Sequence, residues 1–272
     1  MSDLNVGSLN LTAANFASGN TQTVGIASLS DVPGMHTSVM SANTGQALVF
    51  DGSTYAAGDM GGRLLSINVY TSQNGTWNSY NTSGGSGTWT KPAGCTHVLV
   101  YCTGGGGGAR VNDNSYRGAG GGGGATSIKW IDVSGVASVS YTYGGGGTYA
   151  RNGGRGASGG TSSFGGYMTA GGGQGGQTDV PHQGGPGGNA SGGDINVPGG
   201  GGEMSHGHNR EGGGGSSIWH KSGSSHHYYN NQEEVTSGQW GSGGGYGYYS
   251  QNGFAHNSSQ GGAGVVIVYN YS

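Results

Sequence analysis

The sequence predicts a mainly β protein with an irregular glycine-rich body and negligible α-helix: a short N-terminal β stalk, then a β-strand base enclosing a bundle of polyglycine-II helices. Three observations predict it. Gly makes up 68 of 272 residues, against an ordinary share of about 7 %, and it is the poorest helix former after proline. Strand-like apolar runs open and close the glycine-rich part. Between them, glycine recurs in about ten blocks joined by unequal connectors, a repeat architecture without a strict period. Disorder is the usual state of such compositions, but 16 Tyr, 5 Trp and 4 Phe oppose it here.

The chain changes character along its length. Its first 83 residues hold 10 glycines and its last 189 hold 58. Residues 1–62 read as an attachment and oligomerisation segment. Leu4 and Val6 alternate with polar residues, break at Gly7-Ser8, and alternate again at Leu9 and Leu11, a period-2 pattern interrupted by a turn. Such sparse apolar residues cannot close a core in one chain, whereas three copies wrapped together can, so a homotrimer is expected; the variant left open is a monomeric tip capping another protein's trimeric fibre. Ile26-Ala27-Ser28-Leu29-Ser30-Asp31-Val32 follows. Residues 45–53 then end a strand in Asp51-Gly52, a hairpin signal.

Residues 63–272 read as the glycine-rich domain. Residues 63–71 form a strand with Leu65, Ile67 and Val69 on one face. Thr88-Trp89-Thr90 enters a turn at Pro92-Ala93-Gly94. His97-Val98-Leu99-Val100-Tyr101-Cys102 is apolar on both faces and so buried. Gly264-Val265-Val266-Ile267-Val268-Tyr269 has the same character, and the two runs are expected to pair and close everything between them into one domain. Trp89 and Trp130 sit in strand contexts and are expected in the core. Cys95 and Cys102 lie too far apart on an extended run for a disulfide and read as small buried residues.

An ordered run of four to six glycines suits polyproline-II geometry, with three residues per turn and no internal hydrogen bonds. Without side chains, neighbouring runs approach closely and bond to one another, which satisfies the backbone laterally as a sheet does. Phe164, Tyr141 and Tyr143 are candidate anchors for such a bundle. There is no sustained Gly-X-Y repeat and only 5 Pro, which excludes collagen.

The inventory excludes most activities. Nine Lys and Arg and a net charge of −3 make no phosphate-neutralising stripe, so no nucleic-acid partner is expected. No apolar run reaches membrane-span length, and the polar opening Met1-Ser2-Asp3-Leu4 does not read as a signal peptide. No glycine loop leads into a P-loop Lys-Ser/Thr, and no Gly-x-Ser-x-Gly sits on a strand-to-helix elbow. The chain is read as a non-enzyme without cofactors.

Recognition chemistry concentrates in the late connectors. Residues 216–237 hold Trp219, His220, His226, His227, Tyr228 and Tyr229, and residues 239–256 hold Trp240, Tyr246, Tyr248 and Tyr249. Aromatic faces stack on sugar rings, and Tyr and His add hydrogen bonds at low entropic cost; packing against the glycine runs is the competing role. A second reading gives His206 and His208 to a divalent ion, with Glu203, Glu211, Glu233 and Glu234 nearby; solvated polar loops are the plainer one.

The run Gly87-Thr88-Trp89-Thr90-Lys91-Pro92-Ala93-Gly94, with residues 97–102 and the glycines 104–108 after it, resembles the glycine-rich domain of tailed-bacteriophage tail-fibre and tail-tip proteins. Thr161-Ser162-Ser163-Phe164-Gly165 resembles that family's middle element, and Gly261-Gly262-Ala263-Gly264-Val265-Val266-Ile267-Val268-Tyr269 its close. Residues 64–71 resemble the segment that precedes this domain, and residues 29–32 and 45–53 resemble shaft sequences. The resemblance covers nearly the whole chain. It implies a virion protein of the tail fibre, an adhesin whose loops between polyglycine-II helices bind a host surface receptor, either outer-membrane protein or glycan, alongside other tail proteins. The His- and Tyr-rich connectors match no family motif, so no individual binding residue carries over. The alternative is a structural or ice-binding glycine-rich protein, for which the irregular, bulky connectors are poorly suited.

Overall fold

The computed structural model describes residues 62–73, 82–110, 118–150, 154–177, 183–204, 213–221, 238–245 and 259–272, together with the backbone of 46–50 and 55–59. The chain divides into two compact units, residues 1–61 and 62–272. In the first, β1 (Gln46–Phe50) and β2 (Tyr55–Asp59) form an antiparallel hairpin in which Phe50 faces Tyr55. This agrees with a strand ending at Asp51-Gly52. The strands expected before residue 46 and the trimeric stalk fall outside the described residues.

The second unit contains β3 (Leu64–Tyr70), β4 (Gly85–Thr90), β5 (His97–Thr103), β6 (Thr126–Asp132), β7 (Ser138–Tyr143), β8 (Ser162–Phe164), β9 (Met168–Ala170), β10 (Ala190–Ser191), β11 (Ile195–Val197) and β12 (Val265–Tyr271). They build two five-stranded antiparallel sheets, ordered β11-β6-β5-β12-β3 and β10-β9-β8-β7-β4. No helix occurs among the described residues. The two runs apolar on both faces pair as expected: β12 lies against β5 from Val265 opposite Thr103 to Tyr271 opposite His97.

The sheets face each other across one core. Val98, Val100, Cys102, Val266 and Val268 from the first meet Trp89, Val139, Phe164 and Met168 from the second. The Trp89 indole needs a hydrogen-bond partner when buried and finds it across the core, donating from Nε1 to Asn270 Oδ1 at 3.0 Å. Asn270 Nδ2 in turn lies within hydrogen-bond distance of Ser66 Oγ at 2.9 Å and Asn68 Oδ1 at 2.9 Å. Cys95 and Cys102 are buried free thiols. The turn expected at Pro92-Ala93-Gly94 is present, with Gly94 at φ +75° and Cys95 N donating to Pro92 O.

Three expectations are corrected. Trp130 is 47 % exposed, because its register opposite Leu99 turns it to the outer face, where it stacks on His97 and packs beside Tyr271. Leu65 leaves the row of Ile67 and Val69 and packs against the core, where the pairing of β3 with β12 shifts register at Asn270/Tyr271. Phe164, Tyr141 and Tyr143 belong to the sheet-on-sheet core rather than to the glycine bundle.

The glycine blocks leave the same end of this sandwich as a bundle of extended segments. Their hydrogen bonds show a three-residue repeat. In segment 104–110, Gly104, Gly107 and Arg110 donate to Ala125, Gly122 and Ala119; Gly105 and Gly108 donate to Gly160 and Ala157; Gly106 and Ala109 donate to Gly262 and Ser259. The donor direction thus returns to the same neighbour every third residue, the repeat of a threefold extended helix. Three further segments donate back: Gly147 to Gly106, Gly173 to Gly105, and Gly244 to Gly107. Segment 104–110 therefore has six neighbours. Segment 118–125 has six as well, bonding to 171–177, 199–203, 241–245, 104–110, 183–189 and 213–217. Two six-coordinate segments sharing neighbours account for ten segments among the described residues. Only glycine allows such spacing: a Cβ on Gly122 would fall on the Pro186 carbonyl, and one on Gly107 on that of Gln174.

Polar residues stitch sandwich to bundle. Ser162 Oγ donates to Thr103 O at 2.6 Å and accepts from Gly144 N at 2.9 Å. Thr103 and Thr126 share a buried hydroxyl hydrogen bond of 2.8 Å.

Candidate functional site

Connectivity gives the bundle two chemically different ends. Segments 104–110, 144–150, 171–177 and 199–204 run outward from β5, β7, β9 and β11. Their outer ends meet at Arg110, which bridges Ala119 and Ala150, while Ala119 bridges Met204. Residues 111–117, 151–153, 178–182, 205–212 and 246–258 join segments at this far end; all five connections lie outside the described residues. They include His206, His208, Tyr246, Tyr248 and Tyr249. Among the described segment ends Arg110 is almost fully buried, and its Nη1 donates to Gln177 O at 3.2 Å. Glu203 Oε2 accepts from Gly213 N at 2.9 Å across the mouth of the 205–212 connection. The far end is thus a packed platform of segment ends.

The connector holding Trp219 belongs to the opposite end. Segment 213–217 returns to the sheets, with Gly200 N donating to Ser216 O, and segment 241–245 leaves them again, with Gly124 N donating to Gly241 O. Trp219 Nε1 donates to Thr103 Oγ1 at 2.8 Å, and its ring packs on Tyr101 and Trp240 at centroid distances of 5.4 and 6.1 Å. Ser217 Oγ organises the turn, donating to Trp240 O at 2.7 Å and accepting from Trp219 N at 3.2 Å. Gln73 clamps the other strand of the connector, accepting from Trp240 N at 2.7 Å and donating to Gly238 O at 3.1 Å.

Trp240 has φ +44°, an outlier for a bulky residue, and its Nε1 is buried without a hydrogen-bond partner. Trp219, His220, Gln239 and Trp240 line an open cleft. Of the residues predicted to recognise a ligand, the structure therefore brings together Trp219, His220 and Trp240. His226, His227, Tyr228 and Tyr229 fall between Lys221 and Gly238, outside the described residues. Gln73, Thr103 and Tyr101, which hold this cluster, carry no local sequence signal, since their roles arise from contacts across 116 positions or more.

Titration is perturbed mainly by burial. The Cys102 thiol is pushed up to about 12 by desolvation. Asp194 is held below the ordinary carboxylate range by the Trp130 N–H and by Lys129, its partner at 3.3 Å. Among the described residues no group of three His, Cys, Asp or Glu is placed to hold a metal, and the His206/His208 reading lies outside them.

No curated protein matches the chain. Residues 81–271 match the family described as the glycine-rich domain. That span runs from just before β4 to the end of β12, taking in the whole bundle and most of both sheets, so the chain belongs to the glycine-rich domain family.

Proposed function

We propose that this protein is a tail-fibre adhesin of a tailed bacteriophage, attaching the virion to a host cell-surface receptor through the loops at the far end of the bundle. One observation supports this most. The bundle interior is nearly side-chain-free, whereas five connections bearing His, Tyr, Asn and Arg leave from a single platform of mutually bonded segment ends. Such a platform fixes loop roots at low entropic cost, as rigid scaffolds do for recognition loops. The ordered start, middle and end motifs shared with tail-fibre domains support the same reading. The receptor is an outer-membrane protein or a glycan, and the working assembly is a homotrimer carried with other tail proteins.

The test is binding of labelled full-length protein to a panel of Gram-negative cells, before and after mild protease or periodate treatment. Saturable binding to some strain, lost after one treatment, is expected. Absence of saturable binding throughout the panel would overturn the proposal.

One observation favours the alternative of ice binding. The outer face of the second sheet carries short hydroxyl residues, with Thr142, Ser163, Thr169 and Ser191 in one cross-strand row. Clear thermal hysteresis without cell binding would select that reading.

A further inference from the structure

The cleft at the sheet end has walls that are held in place from outside it. Trp219 is fixed by Thr103 and Tyr101. Trp240 is fixed through its backbone: its N–H donates to Gln73 Oε1 at 2.7 Å, and its carbonyl accepts from Ser217 Oγ at 2.7 Å. Gln73 is itself buried and donates from Nε2 to Gly238 O. These clamps hold Trp240 at φ +44°, where glycine sits without strain and a bulky residue does not. Gly241, at φ +83°, shows what the turn alone asks for. A tryptophan at position 240 therefore adds nothing to the turn; what it adds is a ring. Residues held in strained backbone by their surroundings cluster at ligand clamps. Trp240 Nε1 is also buried without an acceptor among the described residues, and such donors are uncommon.

We propose that this cleft is a binding site for a neutral saccharide, taking one pyranose ring. It lies at the sheet end, apart from the loops assigned to the receptor, and the inference does not rest on that assignment. The lining selects the class of ligand. The Trp219 and Trp240 rings stand 75° apart with centroids 6.1 Å from one another, so they form a corner rather than a flat stack. Such apolar walls suit the C–H face of a sugar ring. His220 and Gln239 complete the lining and suit its hydroxyl edge. His220 Nδ1 lies 2.5 Å from Lys221 O. A carbonyl only accepts, so Nδ1 carries the proton, and Nε2 of the neutral ring is left to accept from a hydroxyl. No Asp, Glu, Lys or Arg lines the cleft among the described residues, so a charged ligand finds no opposite charge there. A wholly apolar ligand would bury the polar atoms of His220 and Gln239 against nothing. The cleft holds about 310 Å³, at the small end of ligand sites, and it is open, which fits one ring of a longer chain rather than an enclosed ligand.

The test titrates full-length protein, isotope-labelled at its tryptophan indoles, with methyl α-glucoside, methyl β-galactoside, methyl α-mannoside and N-acetylglucosamine, and with cyclohexanol as an apolar ring of similar size. NMR follows the indole N–H signals, that of Trp240 being the one missing from Trp240→Phe. The expected result is saturable movement of the Trp240 signal in the millimolar range by at least one sugar and not by cyclohexanol. That sugar should bind His220→Ala about tenfold more weakly, with melting unchanged. Trp240→Gly suits the backbone at that position and removes one wall, so it should fold and lose the binding. If Trp240→Gly fails to fold, His220→Ala decides. Absence of movement with all of the sugars overturns the site. Equal movement with cyclohexanol overturns it as well, since the cleft would then select only for an apolar ring. Full sugar affinity in either folded variant also overturns it. Soluble sugars are read without cells, so this result stands apart from whether the protein attaches to a host.

Discussion

Asn270 is a polar residue in an otherwise apolar strand, and it is fully buried. Its amide is used at both ends, accepting from Trp89 and donating toward Ser66 and Asn68. Replacing it with Leu would strand the Trp89 indole N–H in the core. An unsatisfied buried donor costs roughly 1–3 kcal/mol, so Asn270→Leu should lower unfolding free energy by about that amount, read as an earlier urea midpoint. Cys102, with its thiol raised to about 12, should resist alkylation in the folded protein at pH 8 and react fully once unfolded. The sign of its pH dependence follows. The unfolded thiol ionises near its ordinary value of 9.0 and the folded one near 12. Its contribution is therefore intact below pH 9, and stability falls as pH rises from there toward 12. Rapid labelling of the folded protein at pH 8 would show that the strand is not buried.

At the scale of the glycine segment, the three-residue repeat makes neighbouring glycines unequal. Gly202 and Gly201 are adjacent in one perimeter segment. A Cβ on Gly202 falls on the Gly120 carbonyl, whereas one on Gly201 meets only the Gly185 oxygen at 4.0 Å. Gly202→Ala should therefore destabilise the protein markedly and Gly201→Ala should be neutral or slightly stabilising, since Ala narrows the unfolded ensemble. Thermal unfolding of the pair checks this, and equal shifts would contradict the segment geometry. Gly122→Val, at the centre of the bundle, should prevent folding. The two central strands and the ten blocks were legible in the sequence because composition itself reports them: only strands apolar on both faces, and only runs without side chains, suit those places. Trp130 departs from the core placement its strand context suggests, for a physical reason. A strand context reveals alternation but not which face is covered, and β6 turns Trp130 outward by register with β5. Trp219 was legible as an aromatic of note. Its place at the sheet end was not, because it depends on Thr103, 116 residues earlier.

For the whole molecule, the sheet end and the far end should respond differently to the same kind of mutation. Trp219 bridges the connector to β5 through Thr103 and Tyr101, so its removal takes away packing and a hydrogen bond where sandwich and bundle join. Loss of a partly buried Trp there should cost about 2–4 kcal/mol, with a lower melting temperature and only secondary loss of cell binding. Tyr248 and Tyr249 lie in a connection that leaves from Gly245 and returns at Ser259, whose backbone hydrogen bond already closes the segment pair. Truncating both to Ala should leave melting nearly unchanged. If the far end meets the receptor, the same double variant should lose much of its cell binding, since hot-spot aromatics commonly contribute about 2 kcal/mol or more each. Measured side by side, the two variants separate scaffold from recognition surface. Full binding by Tyr248→Ala/Tyr249→Ala would take that connection out of the recognition surface. Loss of binding without loss of stability in Trp219→Ala would move recognition to the cleft it shares with His220 and Trp240.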